Sequence, residues 1–336
     1  MSTNPTVMFA KPRQVVIEER EIPTPSAGEL LVRTKRTLVS TGTELTVLSG
    51  EFPPGSAWAR YATFPLIPGY SNVGEVVAVG PDVDPNWVGK RVASWAPHAL
   101  YATINTATAC EIREDISYEE AVFFAIAEIV MNGVRRANVR FGESVMVCGL
   151  GLLGQLAVRL CGMCGARPVF AVDVAASRLA WLPSGVAVVA LHAQHDDIVS
   201  VVKKGTRDRM ADVVFELTGD PELILEEFKA LRPLGRFVVL SSPRGETRFD
   251  FHDLCNSPSY TIIGAHQTSH PAHETVDNPW THFRHAELYF DLVADGALDM
   301  SRLVSHREPY TEAPRVYQML LQDRAQAMGV IFDWPE

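Results

Sequence analysis

Long apolar runs are missing from this chain of 336 residues, although 47% of its residues are hydrophobic. The most apolar stretch, Val145 to Val158, is interrupted by glycines and is too short to cross a bilayer. The N-terminal segment lacks the basic head and the apolar run of a signal peptide. We therefore expect a cytoplasmic protein that has no membrane partner.

Cysteine and basic charge are scarce as well. The five cysteines show no disulfide pattern. Thirty basic residues against forty acidic ones give a net charge of −10, which repels the phosphates of nucleic acids and of anionic membranes. These shortages exclude a disulfide scaffold and a nucleic-acid partner, and they leave a small molecule as the expected partner.

The hydrophobic periodicity changes along the chain. Residues 7–100 hold short β-branched runs that proline and glycine clusters separate, which predicts a β-rich region. From Phe141 to Leu240 strands alternate with helices, and such units require a doubly wound parallel sheet. Ser117–Glu120 has the pattern of a capping box, and His282–Ala294 has the pattern of an amphipathic helix. The predicted fold class is α/β.

A G-x-G-x-x-G motif lies between a predicted strand and a predicted helix. Gly149 allows a tight turn, Gly151 allows a pyrophosphate to approach the backbone, and Gly154 allows the helix to pack closely on the strand. The helix that starts near Leu152 and Leu153 would offer backbone N–H groups to the phosphates. The motif therefore predicts a dinucleotide site.

Asp173 ends the next predicted strand. A carboxylate at this point accepts hydrogen bonds from the ribose hydroxyls and repels a 2′-phosphate, which favours NAD over NADP. Arg178 could flank the adenine or still tolerate a phosphate. We also assign Thr218 to the cofactor site. The expected cofactor is NAD.

Beyond these motifs, the chain resembles the medium-chain dehydrogenase/reductase family. The resemblance rests on an ordered set of signatures, namely Pro68-Gly69-Tyr70, Val73–Gly80, Gly89–Val92, Gly142–Val145 and Leu231–Arg236. It implies a GroES-like catalytic domain over residues 1–125, a Rossmann NAD-binding domain over 126–295, and a return to the catalytic domain over 296–336. Ser40–Glu44 and Pro65–Tyr70 resemble the branch of the family that contains bacteriochlorophyllide a dehydrogenase.

The zinc ligands of the family have no counterparts here. Zinc-dependent members carry ligands at three positions that this chain fills with Thr41, Tyr70 and, approximately, Ala125. Because catalytic zinc needs three Cys, His or carboxylate ligands, we expect no metal at these positions. Without zinc, hydrogen-bond donors must stabilise the alkoxide, and a general base must handle the proton.

Five residues are candidates for that work. They are Ser40, Thr41, Thr43, Tyr70 and Glu128. Tyr70 could donate to an oxyanion or could be a packed core residue, and Thr43 could relay a proton or stabilise a turn. Glu128 is an acidic residue in an apolar run, where burial would raise its pKa unless it pairs with Arg135 or Arg136.

Histidines are concentrated late in the chain, at positions 266, 270, 273, 282 and 285. The segment that contains the first three includes Pro271 and is interpreted as a loop rather than as one ligand-bearing helix face. His98 and His266 are expected to contact substrate.

The leading hypothesis is an NAD(H)-dependent, zinc-independent dehydrogenase that interconverts a secondary alcohol and a ketone in a biosynthetic pathway. The substrate would be a polyol, a cyclitol or a sugar-like molecule. The alternatives are an enoyl or quinone reductase that uses NAD(P)H and a non-catalytic dinucleotide sensor. The apolar strand Tyr260–Gly264 resembles the edge that pairs two Rossmann sheets, which predicts a homodimer.

Overall fold

The chain divides into two units. The computed structural model describes residues 3–184 and 187–335. Unit 1 contains the residues up to Glu128 together with those from His282 onward, and unit 2 contains Ile129–Thr281. The helix His282–Ala294 therefore belongs to unit 1, whereas the sequence placed it at the end of the Rossmann domain.

The N-terminal part of the chain is rich in strands, as its periodicity predicted. Its elements are β1 (Asn4–Lys11), β2 (Gln14–Arg20), β3 (Glu29–Leu38), α1 (Thr43–Ser49), α2 (Ala57–Tyr61), β4 (Asn72–Val79), β5 (Arg91–Ser94), β6 (Tyr101–Asn105), β7 (Cys110–Glu111), α3 (Tyr118–Ala121) and α4 (Phe124–Arg136). The predicted capping box is confirmed, because the Ser117 side chain accepts from the Glu120 backbone and the Glu120 carboxylate accepts from the Ser117 backbone.

Unit 2 is an alternating strand and helix unit. Its elements are β8 (Val145–Cys148), α5 (Leu152–Met163), β9 (Val169–Asp173), α6 (Ala176–Leu179), β10 (Val188–His192), α7 (Ile198–Gly205), β11 (Ala211–Glu216), α8 (Ile224–Phe228), β12 (Leu231–Val239) and β13 (Thr261–Gly264). The strands pair in parallel in the order β10-β9-β8-β11-β12-β13. This is the 3-2-1-4-5-6 order of a dinucleotide-binding sheet, and it confirms the doubly wound prediction.

The C-terminal part returns to unit 1. Its elements are α9 (His282–Ala294), β14 (Val304–Pro309), α10 (Ala313–Gln322) and β15 (Gly329–Asp333). The bounds of α9 are those that the sequence predicted. The strands β14-β15-β3-β4-β5-β7 form one sheet, in which β6 also pairs with β3, and β1 and β2 form a separate pair.

Each unit has its own apolar core. In unit 1 the rings of Phe9, Tyr317 and Phe332 are fully buried and pack together, so α10 is held against strands from both ends of the chain. In unit 2, Phe170 and Phe237 are fully buried among residues of the parallel sheet and its helices. No helix within the described residues is long and apolar enough to span a membrane.

Candidate active site

The glycine loop of unit 2 joins β8 to α5 at the carboxyl end of the sheet. Gly149 has a φ of +90°, and a Cβ at this residue would lie 2.8 Å from the backbone nitrogen of Thr218. A Cβ at Gly154 would lie 1.9 Å from the carbonyl oxygen of Gly149. Both positions therefore require glycine, as the motif predicted.

The middle glycine of the loop, Gly151, borders open space. A Cβ at Gly151 would meet nothing within 4 Å, and Gly151 caps α5 without a side-chain hydrogen bond. The first N–H groups of α5, including those of Leu152 and Leu153, therefore follow a residue that borders open space. Such a helix start attracts phosphate groups, so these residues fit a dinucleotide.

Asp173 lies at the end of β9, beside the glycine loop. Its Oδ2 accepts a 2.7 Å hydrogen bond from the Leu150 backbone, and its Oδ1 accepts a 2.8 Å bond from the Ala175 backbone. The Arg178 Nη1 lies 3.3 Å from the same Oδ2. Asp173 is only 5% exposed, and these backbone bonds hold the glycine loop in place.

Glu216 organises the loop after β11, and sequence reasoning did not select it. Its Oε1 accepts from the Thr218 backbone, the Thr218 hydroxyl and the Gly219 backbone at 2.7–2.8 Å, while Ser241 donates to its Oε2. Glu216 is fully buried. An acidic residue at the end of a buried strand was the available signal, because such a charge needs several donors.

In unit 1, three of the predicted catalytic residues come together. The Ser40 Oγ lies 2.5 Å from the Tyr70 hydroxyl oxygen, and the Thr43 hydroxyl also hydrogen bonds to that oxygen. Burial raises the pKa of Tyr70 to about 12; the bonds from Ser40 and Thr43 oppose this rise, and the charge of Glu44 adds to it. Thr41 is half-buried in the turn before α1.

Behind this hydroxyl cluster (Ser40, Thr43 and Tyr70) lies a buried carboxylate. Glu44 is 3% exposed and lies 3.2 Å from the Nε2 of His98. Tyr317 donates to the same carboxylate from α10. His98, predicted to contact substrate, is fully buried and faces Glu44. Sequence reasoning missed the contacts of Glu44 with His98 and Tyr317, because these residues are far apart in the chain.

Glu128 has a partner that the sequence did not suggest. It is fully buried on α4, and its Oε2 lies 3.1 Å from the Nδ1 of His282, the first residue of α9. Both expected partners lie in unit 2 and make contacts there. Arg135 stacks over the Trp280 ring, and the Arg136 Nε donates to the Gly264 carbonyl. A carboxylate and an imidazole held this close could also serve as two metal ligands.

The late histidines are divided between the two units. His266 is exposed, and its Nδ1 lies 2.9 Å from the Thr268 hydroxyl, which holds a short turn. His270 is buried in the same turn, and its Nδ1 lies 2.8 Å from the Gln267 carbonyl oxygen. His273 is exposed, whereas His282 and His285 lie on α9 in unit 1.

Two protein-family models match the chain. The alcohol dehydrogenase GroES-like domain matches residues 26–129, and the zinc-binding dehydrogenase domain matches residues 153–279. The two matches follow one another in the order that the signatures implied, and they confirm the GroES-like and Rossmann prediction.

Similar proteins of known activity are dehydrogenases. D-guloside 3-dehydrogenase from Escherichia coli is 28% identical over 77% of this chain and 76% of its own length. The 2-desacetyl-2-hydroxyethyl bacteriochlorophyllide A dehydrogenase from Cereibacter sphaeroides is 24% identical over 98% of this chain and 97% of its own. Further relatives are named for sorbitol, L-galactonate and erythritol or L-threitol.

Solved structures share the fold. A Sinorhizobium meliloti protein bound to NADP superposes with a TM-score of 0.82 at 22% identity and covers 99% of this chain and 100% of its own. An E. coli dehydrogenase in complex with NADH gives 0.83 at 18% identity with the same coverage. The domain matches and the dehydrogenase relatives show that the chain belongs to the medium-chain dehydrogenase/reductase family and is an oxidoreductase that acts on CH–OH donors, and the solved structures show the same fold.

Proposed function

We propose that this protein interconverts a secondary alcohol and a ketone with NAD(H), without zinc, and that its substrate is a polyol or a sugar-like molecule. The observation that supports this most directly is the hydroxyl cluster, in which two hydroxyl groups surround the oxygen of a tyrosine whose pKa is about 12. The substrate class follows the relatives, which act on a guloside, on sorbitol and on L-galactonate by name.

The tyrosine supplies the proton chemistry in this proposal. With a pKa of about 12, Tyr70 is protonated at neutral pH and can donate to a carbonyl oxygen. A bound nicotinamide supplies the hydride. As the ketone becomes an alkoxide, the O–H bond of Tyr70 breaks and its proton moves to the substrate oxygen. Ser40 and Thr43 stabilise the resulting phenolate, which regains a proton from water; alcohol oxidation runs through the same steps in reverse.

The cofactor would be held by unit 2. Gly151 would leave room for a diphosphate, the first N–H groups of α5 would bind it, and the Thr218 loop borders Gly149. Asp173 supports NAD, because a 2′-phosphate next to a buried carboxylate would be repelled. Arg178 lies beside that carboxylate and partly balances its charge.

The side chains at the family's zinc-ligand positions support the proposal of catalysis without zinc. Thr41 and Tyr70 offer hydroxyl groups, and Ala125 offers no ligand atom. These residues do not fit a catalytic zinc, which takes Cys, His or carboxylate ligands. The Glu128–His282 pair is the reason to measure metal content directly.

We further propose that unit 2 pairs with a second copy through β13. This strand is at the end of the strand order in the parallel sheet, and Ile262 within it is 42% exposed. An unpaired apolar edge favours addition of another strand.

The first experiment measures turnover, cofactor preference and metal content on one preparation. Sorbitol, erythritol, L-galactonate and an alkyl D-guloside are each offered with NAD⁺ and NADP⁺, and bound metal is measured by mass spectrometry. We expect oxidation of at least one compound with NAD⁺ and no stoichiometric zinc. Stoichiometric zinc would refute the metal-free mechanism, and reduction of enones or quinones with NADPH alone would replace the proposed reaction.

A variant tests the cofactor assignment. In Asp173→Asn the charge is lost, so the preference for NADH over NADPH, measured by fluorescence titration, should fall at least about 10-fold. Asp196→Asn is the matched control, because Asp196 accepts a 2.7 Å backbone bond from His192 at the end of the next strand. An equal change of preference in both variants would contradict the assignment.

A further inference from the structure

We propose that Glu44 is the positioning residue of the hydroxyl cluster, and that His98 and Tyr317 hold its carboxylate in place. This inference rests on the proposed function, because it assigns a role behind the same hydroxyl groups. It names a residue that acts through Ser40 and Tyr70 and does not itself touch substrate.

The carboxylate of Glu44 is surrounded by donors. It is 3% exposed, its Oε1 accepts a 3.0 Å bond from the Ser40 backbone, and its Oε2 accepts from the Tyr317 hydroxyl. The His98 Nε2 lies 3.2 Å from the same Oε2. A buried carboxylate is costly without such partners, and these three contacts hold it in place.

Glu44 fixes Ser40 at both of its backbone groups. The Glu44 side chain accepts from the Ser40 N–H, and the Glu44 N–H donates to the Ser40 carbonyl at 2.9 Å. These two bonds set the direction of the Ser40 side chain at the turn before α1. The hydroxyl that meets Tyr70 is therefore aimed by Glu44.

His98 connects the same carboxylate to the segment that carries Tyr70. The His98 backbone donates to the Pro68 carbonyl at 2.9 Å. Its ring lies directly against Gly69, where a Cβ would come within 2.8 Å of the ring and where φ is +102°. The imidazole that faces Glu44 thus also fixes the backbone that precedes Tyr70.

The charge of Glu44 also favours the protonated form of Tyr70. It contributes to the raised pKa of Tyr70, which keeps the phenol protonated and able to donate. Replacing the carboxylate would loosen Ser40 and would also weaken the electrostatic contribution that retains the proton.

Two buried tyrosines allow a matched test. Tyr317 and Tyr289 are both fully buried in unit 1, and each donates one 2.5 Å bond, Tyr317 to Glu44 and Tyr289 to the Glu120 carbonyl. Both changes to Phe remove a hydroxyl group from a buried ring, but only Tyr317 bonds to Glu44. We expect Tyr317→Phe to lower kcat about 3- to 10-fold with an unchanged KM for NADH, and Tyr289→Phe to change kcat less than about twofold.

A double-mutant cycle separates positioning from folding. Glu44→Gln should lower kcat about 100-fold when Tyr70 is present and less than about threefold in a Tyr70→Phe background, because Glu44 acts through Tyr70. The kcat is measured with the best substrate among sorbitol, erythritol, L-galactonate and the alkyl D-guloside. Equal factors in both backgrounds, or equal effects of Tyr317→Phe and Tyr289→Phe, would overturn the proposal.

Hydrogen exchange tests the contact between Glu44 and Ser40 independently of turnover. Glu44→Ala should speed deuterium uptake of the Ser40 amide, since the side-chain oxygen that accepts from this N–H is removed. Unchanged uptake would overturn the positioning role. If the wild-type protein turns over none of the four compounds, the proposed function fails. Faster deuterium uptake in the variant would still establish that the Glu44 side chain holds the Ser40 backbone.

Discussion

The glycine loop of unit 2 and the hydroxyl cluster of unit 1 are assembled over very different distances in sequence. Gly149, Gly151, Gly154 and Asp173 lie within one strand–helix–strand segment, and Leu150 is hydrogen bonded to Asp173 23 residues further on. Glu44 reaches His98 54 residues away and Tyr317 273 residues away. The first region is built mainly by residues that are near in sequence, whereas the second needs contacts between distant parts of unit 1.

The largest expected effect is at the centre of the hydroxyl cluster. Tyr70→Phe removes the proposed proton donor and should lower kcat about 10²- to 10⁴-fold, while the affinity for NADH stays within about twofold. Steady-state kinetics and fluorescence titration measure the two quantities. Tyr118→Phe, at a half-buried tyrosine elsewhere in unit 1, is the control. A kcat within about threefold of wild type would remove Tyr70 from the mechanism.

Two glycines of the loop should respond differently to the same added methyl group. Gly154→Ala places a Cβ 1.9 Å from the Gly149 carbonyl oxygen and should destabilise the protein by about 2–3 kcal/mol. Gly151→Ala meets no atom within 4 Å, so stability should be retained while NADH affinity falls about 10-fold. Urea unfolding and NADH titration measure the pair. Equal stability losses would contradict the open space beside Gly151.

The last prediction concerns how stability depends on pH, and it contrasts the buried carboxylates of the two units. Glu44 is surrounded by N–H and O–H donors, whereas Glu227 of α8, 7% exposed, lies beside the Cys148 thiol and the charge of Glu216. Burial, with a further contribution from Glu216, raises the pKa of Glu227 from 4.5 to about 9. The folded state therefore keeps a proton that the unfolded state loses above pH 4.5, and this stabilisation disappears as pH rises toward 9.

This difference is measurable by unfolding at two pH values. Between pH 6 and pH 8 the free energy of unfolding should fall by about 2–3 kcal/mol more in wild type than in Glu227→Gln. Glu226→Gln is the control, because Glu226 is exposed and pairs with Lys229 at the surface. Parallel pH dependences in wild type and Glu227→Gln would show that Glu227 is ionised in the folded protein.

The two regions also differ in how far sequence reasoning could predict them. The parallel sheet, the glycine positions and the place of Asp173 followed from spacing, because each depends on neighbours a few residues or one strand away. Tyr70 and Ser40 were selected as candidates, but their contact and the carboxylate behind them were not. The partner of Glu128 was expected on its own helix and is His282 instead. The chain returns to unit 1 at His282, and the spacing of residues in the sequence does not show this tertiary contact.

The bond between Tyr317 and Glu44 has a consequence for the order in which the protein matures during synthesis. Unit 2 is one continuous segment, so all of its residues have been made once Thr281 has left the ribosome. The bond from Tyr317 to Glu44 needs α10, which is translated more than thirty residues later. A nascent chain can thus acquire the fold of unit 2 before Tyr317 is available to hold Glu44, so the proposed positioning of the hydroxyl cluster has to wait for α10.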